Sequence, residues 1–90
     1  MTDRAMYRYM IPVDDRPHIE TLTGDPVAVA ATADSRGVEF WAEYDEQFGK
    51  SDRAFQVFGT GHPIPDGAVW VGTCPRTDLG LVWHLYELKD

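Results

Sequence analysis

The sequence predicts a small all-β protein, an antiparallel β-sandwich or barrel of about seven short strands that forms a single domain over residues 1–90. Short apolar segments recur about every eight to twelve positions and are separated by Gly, Pro, Asp and Ser. Several of these segments alternate apolar and polar side chains, as half-buried strands do. Of the 90 residues, 43% are hydrophobic, so the chain can build one small core but not two.

The first three predicted strands are short and are separated by polar turns. They cover Tyr7 to Val13, His18 to Leu22, and Val27 to Ala31. Alternate residues of the first strand are apolar and share one face, and Pro12 predicts that this strand lies at a sheet edge or ends there. Asp, Gly and Pro between the segments favour the turns.

The fourth segment, Val38 to Tyr44, fits two periodicities. With a period of two, its even-numbered residues share one face and Glu39, Trp41 and Glu43 share the other. With a period of 3.6, an aromatic stripe from Phe40 to Phe48 would belong to a helix instead. The strand is favoured because the turn before this segment needs a hairpin partner.

The stretch from Arg53 to Thr73 predicts a central hairpin. Two apolar runs, Ala54 to Phe58 and Ala68 to Val71, flank a connection whose glycines and prolines limit both strands. A last strand is predicted over Leu79 to Leu88 and is apolar on both faces. A strand of this kind is covered on both sides. It lies either in the middle of a sandwich or barrel, or with one face against a partner.

Charge restricts the classes of partner. The 15 acidic and 8 basic residues give a formal net charge of −7, which disfavours nucleic acid and membranes and favours a protein with a basic surface. Solubility alone is the other explanation for the surplus carboxylates. The single cysteine, Cys74, fits a reducing cytoplasm, and no segment has the pattern of a signal peptide or a spanning helix.

The glycine loop Gly59-Thr60-Gly61-His62 suggests anion binding by successive backbone amides. It lacks the lysine and the following helix of a phosphate loop, so we predict a structural hairpin loop in which His62 is a hydrogen-bond partner. A zinc site is not predicted, since the candidate ligands show no close-spaced pair. Those candidates are His18, His62, His84 and Cys74. His84 is instead predicted to be a partly buried, hydrogen-bonded residue.

The sequence evidence for catalytic groups is equally weak. Asp14 and Asp15 with His18 offer two carboxylates and a base, but their sequence is that of an ordinary turn. Cys74 has no neighbouring base in sequence and only Arg76 as a nearby cation. We therefore predict a protein that is not an enzyme and has no catalytic residues, cofactor or metal.

Trp41 is the strongest binding candidate. If it lies on the face of Glu39 and Glu43, it points to solvent and suits a hot spot for a basic, apolar partner. The alternative is that Trp41 packs under the loop that follows this segment. Glu39, Trp41 and Glu43 form the first predicted binding surface, and His62 with its loop forms the second.

Three phrases carry a resemblance to a known family: residues 11–18 (IPVDDRPH), residues 55–68, which include VFGTGHP, and residues 81–88, which include VWHLYE. At these phrases the chain resembles small bacteriophage proteins without a known function, some from phages of actinobacteria. The resemblance covers nearly the whole chain. It implies a phage or prophage origin and a strand around Phe40 to Glu43, and it brings no activity. Tyr7 stands where such proteins carry a Trp.

Two hypotheses follow. In the first, this is an accessory protein of phage type that acts in the host cytoplasm by binding a host or phage protein. In the second, it is a structural protein of the virion or its assembly, and a homo-oligomer is possible. A small-ligand or hydrolytic site at the Gly61-His62 loop is a weaker third possibility.

Overall fold

The computed structural model describes residues 4–89 and confirms the all-β prediction. The seven strands are β1 (Arg4–Pro12), β2 (His18–Leu22), β3 (Pro26–Ala31), β4 (Gly37–Asp45), β5 (Ser51–Gly59), β6 (Val69–Thr73) and β7 (Trp83–Leu88). They form two antiparallel sheets that pack as a sandwich. No helix that could span a membrane occurs in the described part of the chain.

Sheet A has the strand order β1-β4-β3. The strand interpretation of residues 38–44 is confirmed and the helical alternative is wrong, because β4 pairs with β1 on one side and with β3 on the other. The β3–β4 hairpin is also confirmed. Its turn is held by Thr32, whose hydroxyl donates to Asp34 and accepts from the amide of Gly37. This pairing fixes which residues of β4 face the core.

Sheet B has the order β2-β5-β7-β6, so the predicted central hairpin is wrong. β5 and β6 are not neighbours, because β7 lies between them and pairs with both. A tight hairpin needs a loop of about two to five residues, whereas residues 60–68 are longer and contain two prolines. This connection crosses the width of the inserted strand, roughly 10 Å between β5 and β6.

The core lies between the inner faces of the sheets. Its completely or almost completely buried side chains are Ile11, Leu22, Val38, Phe40, Ala42, Phe55, Val57, Cys74 and Leu85. The rings of Phe40 in sheet A and Phe55 in sheet B meet with centroids 4.8 Å apart. Burial of each large apolar side chain stabilises the fold by roughly 1.5–3 kcal/mol. The period-two pattern of β4 thus places its even-numbered residues in the core, as predicted.

The last predicted strand is too long. β7 begins at Trp83 rather than at Leu79, because residues 77–81 form a hydrogen-bonded turn in which Thr77 N donates to Leu81 O at 2.8 Å. β1 is also displaced from its prediction and covers Arg4–Pro12. It is an edge strand that ends at Pro12, as the proline predicted.

A cluster of three charged side chains links the two sheets near the beginning of β5. The guanidinium of Arg53 donates two hydrogen bonds of 2.8 Å to Glu87 in β7 and one of 2.9 Å to Asp25 before β3. The bidentate pair lowers the pKa of Glu87 and raises that of Arg53. This cluster therefore ties sheet B to the beginning of β3.

The edge strands β3 and β6 approach closely at Gly72. A Cβ atom at this position would lie 2.6 Å from Cγ2 of Val29. Because that distance is far below van der Waals contact, only glycine lets β6 lie against β3 here.

Candidate functional site

The outer face of sheet A carries the residues that the sequence predicted for binding. Glu39, Trp41 and Glu43 alternate with the core residues of β4 and point away from the core. β1 places two arginines beside them: Arg8 Nη1 lies 3.4 Å from Glu39 Oε2, and Arg4 Nη1 lies 3.7 Å from Glu43 Oε1. The two carboxylates are thus partly neutralised within the protein and do not form an open acidic patch.

Trp41 lies in the middle of this face and is half-buried. Its cross-strand neighbours are Arg8 in β1 and Ala28 in β3. Met6 and Met10 of β1 share the face and are about half exposed. The surface is therefore a mixed one of ion pairs and methionines with one indole at its centre.

His62 lies outside both sheets. It lies in the connection that follows β5, where its amide donates to Gly59 O at 3.1 Å. The imidazole covers Gly59 so closely that a Cβ there would lie 3.1 Å from Cε1 of the ring. The four predicted binding residues thus split into a group of three on sheet A and His62 alone at the end of β5.

The outer face of sheet B is apolar and carries no formal charge at its centre. Three cross-strand rows make up the centre of this face: Ile19, Ala54 and Leu88; then Gln56, Tyr86 and Trp70; then Phe58, His84 and Thr73. None of these nine residues is Asp, Glu, Lys or Arg. Trp70 is 59% exposed and Ile19 is 62% exposed. We call this surface the Trp70 face.

A hydrogen-bonded chain fixes one side of the Trp70 face. The indole N–H of Trp70 donates to Thr73 Oγ1 at 2.9 Å, and Nδ1 of His84 lies 2.9 Å from the same oxygen. Nε2 of His84 lies 2.8 Å from Thr60 Oγ1. Both imidazole nitrogens therefore have partners, which confirms the prediction of a partly buried, hydrogen-bonded histidine. The chain also orients the indole ring, so Trp70 is exposed but held in place.

Tyr86 lies at the centre of the Trp70 face. Its ring meets Phe58 edge-on with centroids 5.6 Å apart, and Phe58 is itself buried. An edge-to-face pair of this kind stabilises the ring beyond the area that it buries. The aromatic residues of this face are thus preorganised, a property that reduces the entropy lost on binding.

Sequence reasoning did not select the Trp70 face, although one signal pointed to it. The last strand was apolar on both sides, and the structure gives those sides different environments. Leu85 faces the core, whereas Tyr86 and Leu88 lie on the outer face of sheet B, over which the described residues form no third sheet. β7 thus lies in the interior of one sheet of the sandwich, and the option that a partner covers its outer face stays a prediction.

The candidate catalytic groups lie in two different environments. Cys74 is buried, and desolvation raises the pKa of its thiol, which disfavours the thiolate. Asp14 accepts a hydrogen bond from Nε2 of His18 at 2.9 Å, and this contact lowers the pKa of Asp14. Asp15 next to it adopts a left-handed turn conformation with φ of 60°. Within residues 4–89 no three His, Cys, Asp or Glu side chains converge as metal ligands.

Comparison with protein-family models gives a match over almost the whole chain. A family model described as "Domain of unknown function (DUF7352)" matches residues 2–90. No curated protein and no solved structure matches the chain.

Proposed function

We propose, from the premise that the chain belongs to the DUF7352 family of domains of unknown function, that it is a non-enzymatic protein-binding module. The Trp70 face is its docking surface. The observation that carries this proposal is the set of nine cross-strand positions without a formally charged residue, which present an exposed Trp beside a Tyr. Interface centres are depleted in charge and enriched in Trp and Tyr, and single aromatic anchors supply much of the binding energy.

The partner that fits this surface is a protein with an apolar patch bordered by basic residues. The chain has a formal net charge of −7. Exposed carboxylates lie near the Trp70 face, among them Asp52, which accepts from Thr21 in the neighbouring strand at 2.6 Å. Opposite charge around an apolar contact steers association and selects partners. A second copy of this chain would bring two acidic rims together, so a basic partner is favoured over self-association.

The outer face of sheet A is the second candidate surface. It presents Trp41, but Glu39 and Glu43 each have an arginine within ion-pair distance. A basic partner would have to compete with Arg8 and Arg4 for these carboxylates. The Trp70 face requires no such exchange, and for that reason we rank it first.

The resemblance to bacteriophage proteins supports a role in the host cytoplasm as an accessory protein that binds a host or phage protein. Actinobacterial proteins are therefore the first partners to test. A virion or assembly role is the alternative, and analysis of purified particles by mass spectrometry separates the two.

The test begins with affinity capture from an actinobacterial lysate, using wild-type protein and the variants Trp70→Ala and Trp41→Ala as matched baits. We expect a basic partner on the wild type and on Trp41→Ala that is lost on Trp70→Ala. Binding of that partner, once purified, should weaken as salt rises because its rim contacts are ionic.

Two outcomes would contradict the proposal. A partner that still binds Trp70→Ala but no longer binds Trp41→Ala would mean that the docking surface lies on sheet A. Sedimentation of the wild type as a dimer that Trp70→Ala converts to a monomer would make a second copy the occupant of the Trp70 face.

A further inference from the structure

An open cavity of about 400 Å³ lies beside the end of β5. It is bounded by the turn after β5 and by the segment that leads into β7. Its principal lining residues are Gly59, Thr60, His62, Arg76, Leu81 and Trp83. A volume of this size is at the lower end of the range for small-molecule sites, and the lining is mostly apolar, as such sites are.

The charge around the cavity is opposite to that of the protein. The chain has a formal net charge of −7, yet no Asp or Glu is among the lining residues. Arg76 is the cation in the lining. Unlike Arg4, Arg8 and Arg53, it has no carboxylate partner in the described part of the chain. Its single hydrogen bond there, from Nη1 to Gly80 O at 3.0 Å, leaves most of the guanidinium donors available.

The arginine is held on an ordered segment. Gly80 N donates to Thr77 O at 2.9 Å, Thr77 N donates to Leu81 O at 2.8 Å, and Leu81 N donates to Thr77 Oγ1 at 3.1 Å. Gly80 has φ of 79°, a conformation that favours glycine. Because Arg76 bonds to Gly80 across this turn, the position of its guanidinium is set before any ligand arrives.

The cavity wall supplies the apolar contact. Trp83 is half-buried, and its indole N–H donates to Ser35 O at 3.2 Å, which fixes the ring. Leu81 and Val82 extend this apolar surface. His62 also lines the cavity and has no side-chain hydrogen bond within residues 4–89, so its nitrogens can contact a ligand.

We propose that this cavity binds a small organic anion, in which an apolar ring or chain packs against Trp83 and Leu81 and an oxyanion is held by Arg76 and His62. The shared chemistry is the oxyanion, which a carboxylate or a phosphate monoester supplies. A guanidinium recognises either group through two parallel N–H donors. The cavity touches the Trp70 face through Thr60, which bonds to His84, but the inference rests on Arg76, His62 and Trp83 and not on the proposed docking function.

The test is a titration of the ¹⁵N-labelled full chain, followed by amide chemical shifts at low salt. The probes are benzoate, phenyl phosphate, inorganic phosphate and benzyl alcohol. We expect saturable shifts at Gly59, Thr60, Gly80 and Leu81 with benzoate or phenyl phosphate, and the better of the two identifies the oxyanion. Benzyl alcohol, which lacks the charge, and inorganic phosphate, which lacks the ring, should each bind at least roughly tenfold more weakly.

Arg76→Gln should weaken the better ligand roughly tenfold. Arg36→Gln is the matched control, since it removes the same charge from another exposed loop, and it should bind as the wild type does. If Arg76→Gln loses its folded spectrum, the conservative Arg76→Lys and the salt dependence of wild-type binding decide instead. Equal affinity for benzyl alcohol, unchanged binding by the Arg76 variant, or no saturable shift with either organic anion would each overturn the inference.

Discussion

Both outer faces of the sandwich are formed by alternate residues of their strands, but they differ in how many charged side chains they carry. The outer face of sheet A pairs its carboxylates with arginines across strands, at 3.4 Å between Arg8 and Glu39 and 3.7 Å between Arg4 and Glu43. The Trp70 face has no formally charged residue in its three central rows. The first face is stable in water as it stands, whereas the second gains by being covered.

The difference teaches that net charge does not locate a binding surface. A formal charge of −7 indicates the kind of partner, but the carboxylates beside Trp41 are partly neutralised by β1. Cross-strand pairing decides which charges remain available to a partner, and pairing is a property of the fold rather than of local sequence.

The largest effect that we expect concerns Trp70. Trp70→Ala should weaken partner binding by about 3 kcal/mol, roughly a hundredfold, because an exposed, preoriented Trp beside an uncharged aromatic cluster is a typical hot spot. Isothermal titration calorimetry with the captured partner measures this. Trp41→Ala is the control and should change the affinity by no more than a few-fold. Equal losses for the two variants would erase the distinction between the faces.

The second prediction compares a shielded ion pair with an exposed one. Glu87→Gln should lower the free energy of unfolding by roughly 2–3 kcal/mol at neutral pH, because it leaves Arg53 without its bidentate partner at a largely buried site. Urea denaturation measures the change. Glu43→Gln on the outer face of sheet A serves as the control, and its effect should stay under about 1 kcal/mol.

The same pair predicts a pH dependence. The pKa of Glu87 is lowered in the folded state, so its contribution is fully present above the ordinary pKa of about 4.5 and is lost as the pH falls through the lowered value. The stability difference between wild type and Glu87→Gln should therefore shrink only below about pH 4.5. A difference that stays constant down to pH 2 would show that the Glu87 carboxylate has no special stabilisation.

The smallest effect concerns the cross-strand ion pairs on the outer face of sheet A, in which Arg8 lies beside Glu39 and Arg4 beside Glu43. Arg8→Glu should destabilise the fold by about 0.5–1 kcal/mol because it places two carboxylates side by side, and the added change Glu39→Arg should restore stability. A double-mutant cycle by urea denaturation gives the coupling energy. A coupling energy of zero would mean that Arg8 and Glu39 do not stabilise each other and are simply two solvated charges.

Much of the fold was predictable, and the main failure, the strand order of sheet B, has a non-local cause. Alternation in β4 predicted both its strand state and the outward position of Trp41, because a period of two is a local property. The predicted hairpin between Ala54 to Phe58 and Ala68 to Val71 was wrong because strand order depends on contacts distant in sequence. Nothing local to residues 60–68 shows that β7 fills the space between β5 and β6.

The candidate sites were less predictable for the same reason. The Trp70 face combines residues of β2, β5, β6 and β7, and its rows exist only once the order of these strands is known. The cavity is lined by both His62 and Arg76, whereas the sequence places these residues in two separate turns. Single residues of both sites were visible in the sequence, but their grouping was not.

Gly72 has a consequence for solubility. Because Val29 occupies the space where a side chain would begin, even alanine at position 72 must push β3 and β6 apart. These are the outermost strands on that side of the sandwich, and separated edge strands can recruit strands from other molecules into aggregates. The absence of a side chain at position 72 therefore keeps these two edges close together, which leaves less room for a strand of another molecule to pair there.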